Sequence, residues 1–233
     1  MLEVAALHAY YGRAQILDDV AFSVGWGEVV ALLGRNGAGK STTLKTIMGL
    51  VPPAKGWISF DGRNLVGRAP YQIARLGLGY VPEERRVFAE LTVAENLEVG
   101  RQPPRRRAPH WTPERLFELF PNLAELRDRQ AGRISGGEQQ MLTIARTLMG
   151  NPRAILLDEP SEGLAPVIVA QMARTIEALK QEGLTVLLSE QNLHFAGMIA
   201  NRALIIEKGR IRYQGTLAQL AADEAVRAAY LTV

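Results

Sequence analysis

Gly34-Arg35-Asn36-Gly37-Ala38-Gly39-Lys40-Ser41-Thr42 fits the pattern G-x-x-x-x-G-K-[ST], and its flanks decide how it folds. The apolar run Val29-Val30-Ala31-Leu32-Leu33 leads in and reads as a buried strand. Ser41 to Leu50 leads out and reads as a helix, ended by Pro52-Pro53. The loop glycines let successive backbone N–H groups turn inward onto phosphate oxygens, and the helix adds its positive end. In such a loop Lys40 reaches the β- and γ-phosphates and the Ser41 hydroxyl ligates Mg²⁺. The stretch Gly34 to Thr42 is thus a candidate ATP site.

Composition allows this and narrows the rest. The chain has 233 residues, 47% of them apolar, which suits an α/β core. Its net charge of +3 is too diffuse to imply nucleic acid. Cysteine is absent, so disulfides and thiolate metal sites are excluded. The start Met1-Leu2-Glu3-Val4 lacks a basic segment followed by an apolar one, so no signal peptide is expected. No apolar run approaches the roughly 20 residues that span a bilayer.

Leu2 to Leu7 and Ile16 to Val24 read as strands around a turn at Tyr11-Gly12, and Gly56 to Phe60 as another, closed by Asp61-Gly62. They predict an antiparallel patch beside the loop strand. Gly79-Tyr80-Val81-Pro82 reads as a short buried strand. From Phe88 to Gly150 the texture is helical, with a capping box at Thr92-Val93-Ala94-Glu95. A second start at Thr112-Pro113 carries the apolar face Leu116, Phe117, Leu119 and Phe120. The run Arg101 to Arg107 between them reads as a solvated loop, with lipid headgroups or RNA as alternative contacts. Parallel α/β rhythm resumes with a strand at Ala154 to Leu157, a helix over Val167 to Glu182 and a strand at Thr185 to Leu188. Arg202 to Glu207 then pairs with Arg210 to Gln214, and closing helices start at Thr216. No internal repeat is present. We expect one α/β domain over 1–233, with 1–87 and 151–233 as nucleotide-binding core and β subdomain, and 88–150 as a helical insertion.

Two further stretches carry chemistry. Ala154-Ile155-Leu156-Leu157-Asp158-Glu159 is an apolar strand ending in two carboxylates. The first suits Mg²⁺, usually through water, and the second suits a general base for an attacking water. In Ile134-Ser135-Gly136-Gly137-Glu138-Gln139-Gln140, Ser135 and Glu138 form a capping box and the glycines leave N–H groups open to an anion. Glu138 stands 20 residues before Asp158.

In this order and spacing, the phosphate loop, the Ser135 to Gln139 signature and the acidic strand make the chain resemble the ATP-binding subunits of ABC transporters over essentially its whole length. The resemblance implies a phosphate-loop NTPase core with an antiparallel β subdomain and a helical insertion. It implies a head-to-tail dimer, each ATP held between one phosphate loop and the opposite subunit's Ser135, Gly136, Gly137 and Glu138. It also implies an aromatic ring against adenine, for which Tyr11 matches, with Tyr10 as its rival. Three positions depart from the family's commonest pattern: Glu83 replaces a glutamine near Mg²⁺, Ala165 an aspartate and Gln191 a histidine. Gln191 can donate to a γ-phosphate oxygen but cannot become a cation. The metal set implied is Ser41, Glu83 and Asp158, and the catalytic pair Glu159 and Gln191.

These departures make the chain look like the smaller ATPase subunit of branched-chain amino-acid importers, with urea and amide importers close behind. Lipopolysaccharide-type export ATPases and soluble ABC proteins are the other readings. The implied partners are two transmembrane permease subunits, a second related ATPase and, indirectly, a periplasmic or surface solute-binding protein. The implied location is peripheral, on the cytoplasmic face of the inner membrane.

Overall fold

The computed structural model of the chain describes residues 1–230. The chain opens with strands β1 (Leu2–Tyr11) and β2 (Ala14–Val24), followed by β3 (Val29–Leu33) and helix α1 (Lys40–Ile47). Next come β4 (Lys55–Phe60), β5 (Arg63–Asn64), α2 (Pro70–Arg75) and β6 (Leu78–Val81). A helical stretch holds α3 (Val93–Gly100), α4 (Pro113–Leu119), α5 (Pro121–Glu125) and α6 (Gly136–Leu148). The chain then runs through β7 (Ala154–Asp158), α7 (Pro166–Gln181), β8 (Thr185–Glu190) and α8 (Leu193–Ile199). It closes with β9 (Arg202–Glu207), β10 (Arg210–Thr216), α9 (Leu217–Ala222) and α10 (Glu224–Tyr230).

Two sheets result. The larger runs β10-β9-β3-β8-β7-β6, parallel except for β10, and the smaller is the antiparallel set β2-β1-β4-β5. Successive side chains of a strand point to opposite faces, so a strand covered on both faces feeds two cores. In β3, Val29, Ala31 and Leu33 join the core under the helical layer, while Val30 and Leu32 join the core between the sheets. β7 divides likewise, Ile155 and Leu157 to one side and Ala154 and Leu156 to the other. This double burial aligns the ends of β3, β7 and β8 along one edge of the sheet, where the phosphate loop and the acidic pair emerge.

Several expectations on elements are corrected. Helix α1 stops well before Pro52. Gly49 takes φ +70°, its N–H bonds to the Thr46 carbonyl and that of Leu50 to Lys45, a Schellman end that satisfies the last carbonyls. Strand β1 runs on to Tyr11, past irregularities in its pairing between Val4 and Tyr10. Helices α2 and α8 were not foreseen; each buries few side chains, only Ile73 in α2 and Phe195, Ala196 and Ile199 in α8. The expected caps hold: Thr92, Thr112 and Ser135 each accept from a backbone N–H of the following turn.

Candidate active site

The phosphate loop forms because β3 is buried and cannot continue. Gly39, at φ +112°, turns the chain into α1 through a conformation that strains any residue with a Cβ, and an added Cβ would lie 2.9 Å from Leu17. Lys40 is folded inward, 3% exposed, and donates to the carbonyls of Gly34 at 2.8 Å and Arg35 at 3.1 Å. Its Nζ also pairs with Glu159 Oε1 at 3.0 Å. A buried cation requires such partners.

The paired carboxylates are separated by their neighbours. The Ser41 hydroxyl donates to Asp158 Oδ1 at 2.8 Å, Ser189 to the same oxygen at 2.6 Å, and Tyr80 to Oδ2 at 3.1 Å. Burial, then the Asp158 charge, push the Tyr80 phenol far above its usual range, so it stays a donor. Glu159 follows with φ +44°, a strained position for a non-glycine residue. Its N–H donates to Ser189, and its Oε2 accepts from Gln191 Nε2 at 2.7 Å. Burial alone would raise the Glu159 carboxyl. Hydrogen bonds from Glu162, Gln191 and Lys40 outweigh burial and hold it below the usual value. Glu162 takes the opposite shift, to about 7, because it shares a hydrogen bond with Glu159, is partly desolvated and faces further negative charge from Glu83 and Glu190. Burial likewise raises Glu190, against the N–H groups of Ser161, Gln191 and Asn192 that donate to it.

A cavity of about 460 Å³ opens over this arrangement, lined by Asn36, Gly37, Gly39, Lys40, Ser41 and Thr42 of the loop and by Tyr11, Glu83, Glu159 and Glu162. Tyr11 is half exposed on its wall, whereas Tyr10 does not line it. Gly34, Arg35 and Ala38 act behind it: Ala38 N–H bonds to the Arg35 carbonyl, and Ala38 is buried. Asp158 and Gln191 stand behind Ser41 and Glu159. Glu83 reaches the wall without a contact to Asp158. Ser135, Gly136, Gly137 and Glu138 do not line this cavity; they open α6 instead. A larger hollow of about 700 Å³ offers neither loop amides nor the carboxylate pair, so it is not the phosphate site.

The donor set fits Mg²⁺. Ser41 and Asp158 present hard oxygens already in contact, and both are what that ion prefers. Among the described residues no three acidic or histidine side chains form a cage.

Sequence reasoning missed Tyr80, Ser189, Glu162 and Glu190. Ser189 and Glu190 sit beside Gln191 and were within reach. Tyr80 lies 78 residues from its partner and carries no local signal.

Fold and site together define a phosphate-loop nucleotide hydrolase. Residues 17–162 match the ABC transporter family model. The chain is 47% identical to the high-affinity branched-chain amino acid transport ATP-binding protein BraG of Pseudomonas aeruginosa, covering 99% of both chains. It is 37% identical to the lipopolysaccharide export system ATP-binding protein LptB of Escherichia coli K12, over 96% of this chain and 93% of that one. A solved ATP-binding subunit of an ABC transporter superposes with a TM-score of 0.82 at 32% identity, covering 99% of this chain and 96% of the other. The chain belongs to the ABC transporter family, as one of its ATP-hydrolysing subunits.

Proposed function

We propose that this chain drives an importer for branched-chain or related amino acids, paired with a second ATPase beneath two permease subunits. The observation that carries the import reading is its full-length 47% identity to BraG, against 37% to LptB. A solute-binding protein would deliver the solute, and the ATPase would act at the cytoplasmic face of the inner membrane. Consistent with a peripheral place, no helix among the described residues is long and apolar enough to cross a membrane. We take 88–150 as the helical insertion and the rest as nucleotide-binding core.

In this reading ATP enters the 460 Å³ cavity with its adenine against Tyr11. Residues Gly34 to Thr42 wrap its phosphates, and Lys40 turns from Glu159 to them. That exchange frees Glu159 to take a proton from the attacking water, with Gln191 holding the carboxylate in place. Ser41 and Asp158 would hold Mg²⁺, with Glu83 nearby; the ion supplies charge neutralisation at the phosphates. Ser135, Gly136, Gly137 and Glu138 would close the site from the opposite subunit, using the N-terminal end of α6. The 700 Å³ groove, with exposed Leu50, Tyr71, Phe88 and Val99 on or beside Arg75 and Arg105, would seat a permease segment of acidic, amphipathic character. Tyr80 lines that groove and also holds Asp158, so docking and metal site share one side chain.

Uptake assays in cells lacking this chain test the proposal. Loss of leucine, isoleucine and valine uptake with intact urea uptake is expected; the reverse pattern overturns the assignment. Mixing the chain with its partner ATPase should give turnover that peaks near equimolar ratio. Full transport with this chain as sole ATPase would contradict the pairing.

A further inference from the structure

A third hollow, of about 280 Å³, shares no residue with the nucleotide cavity and borders the 700 Å³ groove through Arg75 and Arg105. Five arginines line it: Arg63 of β5, Arg75 at the end of α2, Arg105 and Arg106 after α3, and Arg153 before β7. Asp61 is the one carboxylate among its lining residues, so five positive charges face one negative charge.

The cations are arranged, not merely crowded. Arg153 is ion-paired with Asp61 and lies 4.0 Å from the centroid of Trp26, with 13% of its side chain exposed. Its Nε is buried without a hydrogen-bond partner. Arg105 donates to carbonyls of Gly150 and Ala74, which keeps it from swinging into solvent, and Arg75 lies over Tyr71. Arg63 and Arg106 are exposed, and neither has an ion-pair partner among the described residues. Like charges gathered around one hollow repel unless an anion joins them. A guanidinium fork matches carboxylate and phosphate alike. A phosphate, however, offers more oxygens and up to two charges, so it can engage several forks at once. The hollow equals about nine waters at roughly 30 Å³ each, enough for a phosphate and part of the group it is esterified to.

We propose that this arginine hollow binds a phosphate group, either free or carried on a lipid headgroup. It stands independently of the transported solute and of the nucleotide site. The chain is first saturated with ADP to occupy the phosphate loop. Binding is then measured to inorganic phosphate by calorimetry, and by flotation to vesicles of phosphatidylglycerol in phosphatidylcholine, against phosphatidylcholine alone. The test variant combines Arg63→Gln and Arg106→Gln, both exposed and unpaired, so folding is preserved. It should weaken binding about thirtyfold, at about 1 kcal/mol for each arginine removed. Binding to both probes marks a general phosphate site. Binding to the anionic vesicles alone marks a lipid-borne phosphate, and binding to phosphate alone a soluble ligand. Absence of binding to either probe, or equal binding by the double variant, overturns the proposal.

Discussion

Glu159→Gln removes one charge from the Lys40–Glu159 pair and keeps its shape. The pair is buried on both sides, 3% and 7% exposed, and 3.0 Å long. Breaking a buried pair by removing one partner typically costs about 3–5 kcal/mol. Here Lys40 keeps the carbonyls of Gly34 and Arg35, and the new amide oxygen can still accept, so about 2 kcal/mol is the reasonable figure. For a chain of this size that lowers the melting temperature by about 4–8 °C in the absence of nucleotide. The same energy works in the opposite sense on binding. Wild type must break the pair to hand Lys40 to phosphate, and the variant need not. ADP should therefore bind up to about thirtyfold more tightly to the variant. Turnover should fall by about 10²–10⁴, the usual worth of a positioned base. Scanning calorimetry without nucleotide, ADP titration and steady-state turnover measure the three effects. If the melting temperature and the ADP affinity both match wild type, the ion pair does not gate the loop and the reasoning is refuted.

Gln191→Ala removes one hydrogen bond to Glu159 and should cost about tenfold in turnover, less than Glu159→Gln; equal losses in a kinetic comparison would reverse that ranking. Tyr80→Phe keeps the ring and deletes the donor to Asp158, so Mn²⁺ affinity in the presence of ADP should fall about tenfold; unchanged affinity by spin resonance would remove Tyr80 from the metal site. Glu162 has its folded value raised from 4.5 to about 7, so it binds its proton more tightly folded than unfolded. Its contribution to stability is fully present below 4.5 and is lost as pH rises through about 7. Glu162→Gln should flatten that part of the stability profile in urea titrations, and an unaltered slope would contradict the Glu159–Glu162 contact.

Much of this was legible in the sequence because local chemistry wrote it. The loop glycines, Lys40 and Ser41 are consecutive, and the run Val29 to Leu33 is apolar on both faces because both faces are covered. Capping boxes at Thr92 and Ser135 are four-residue signals, and the helices they open are where the boxes put them. Helix α2 was not legible because Ile73 alone is buried, too little for a stripe. The end of α1 was misread because a glycine cap acts before a proline stop can. The contacts that define the site are long-range. Lys40 with Glu159 and Tyr80 with Asp158 meet only because β3, β7 and β6 lie in one sheet in an order the chain does not follow. Of the adjacent acids at the end of the buried strand β7, Glu159 meets Lys40 and Asp158 meets Ser41, Ser189 and Tyr80.

In the proposed function, ATP bound at this site is coupled to solute import. The decisive measurement is ATP-dependent leucine uptake by vesicles holding the permease subunits, both ATPases and the solute-binding protein, with this chain either wild type or Lys40→Ala. We predict uptake and turnover together in the first case and the loss of both in the second. Leucine uptake that persists undiminished with Lys40→Ala would contradict the claim that ATP held at Gly34 to Thr42 drives transport.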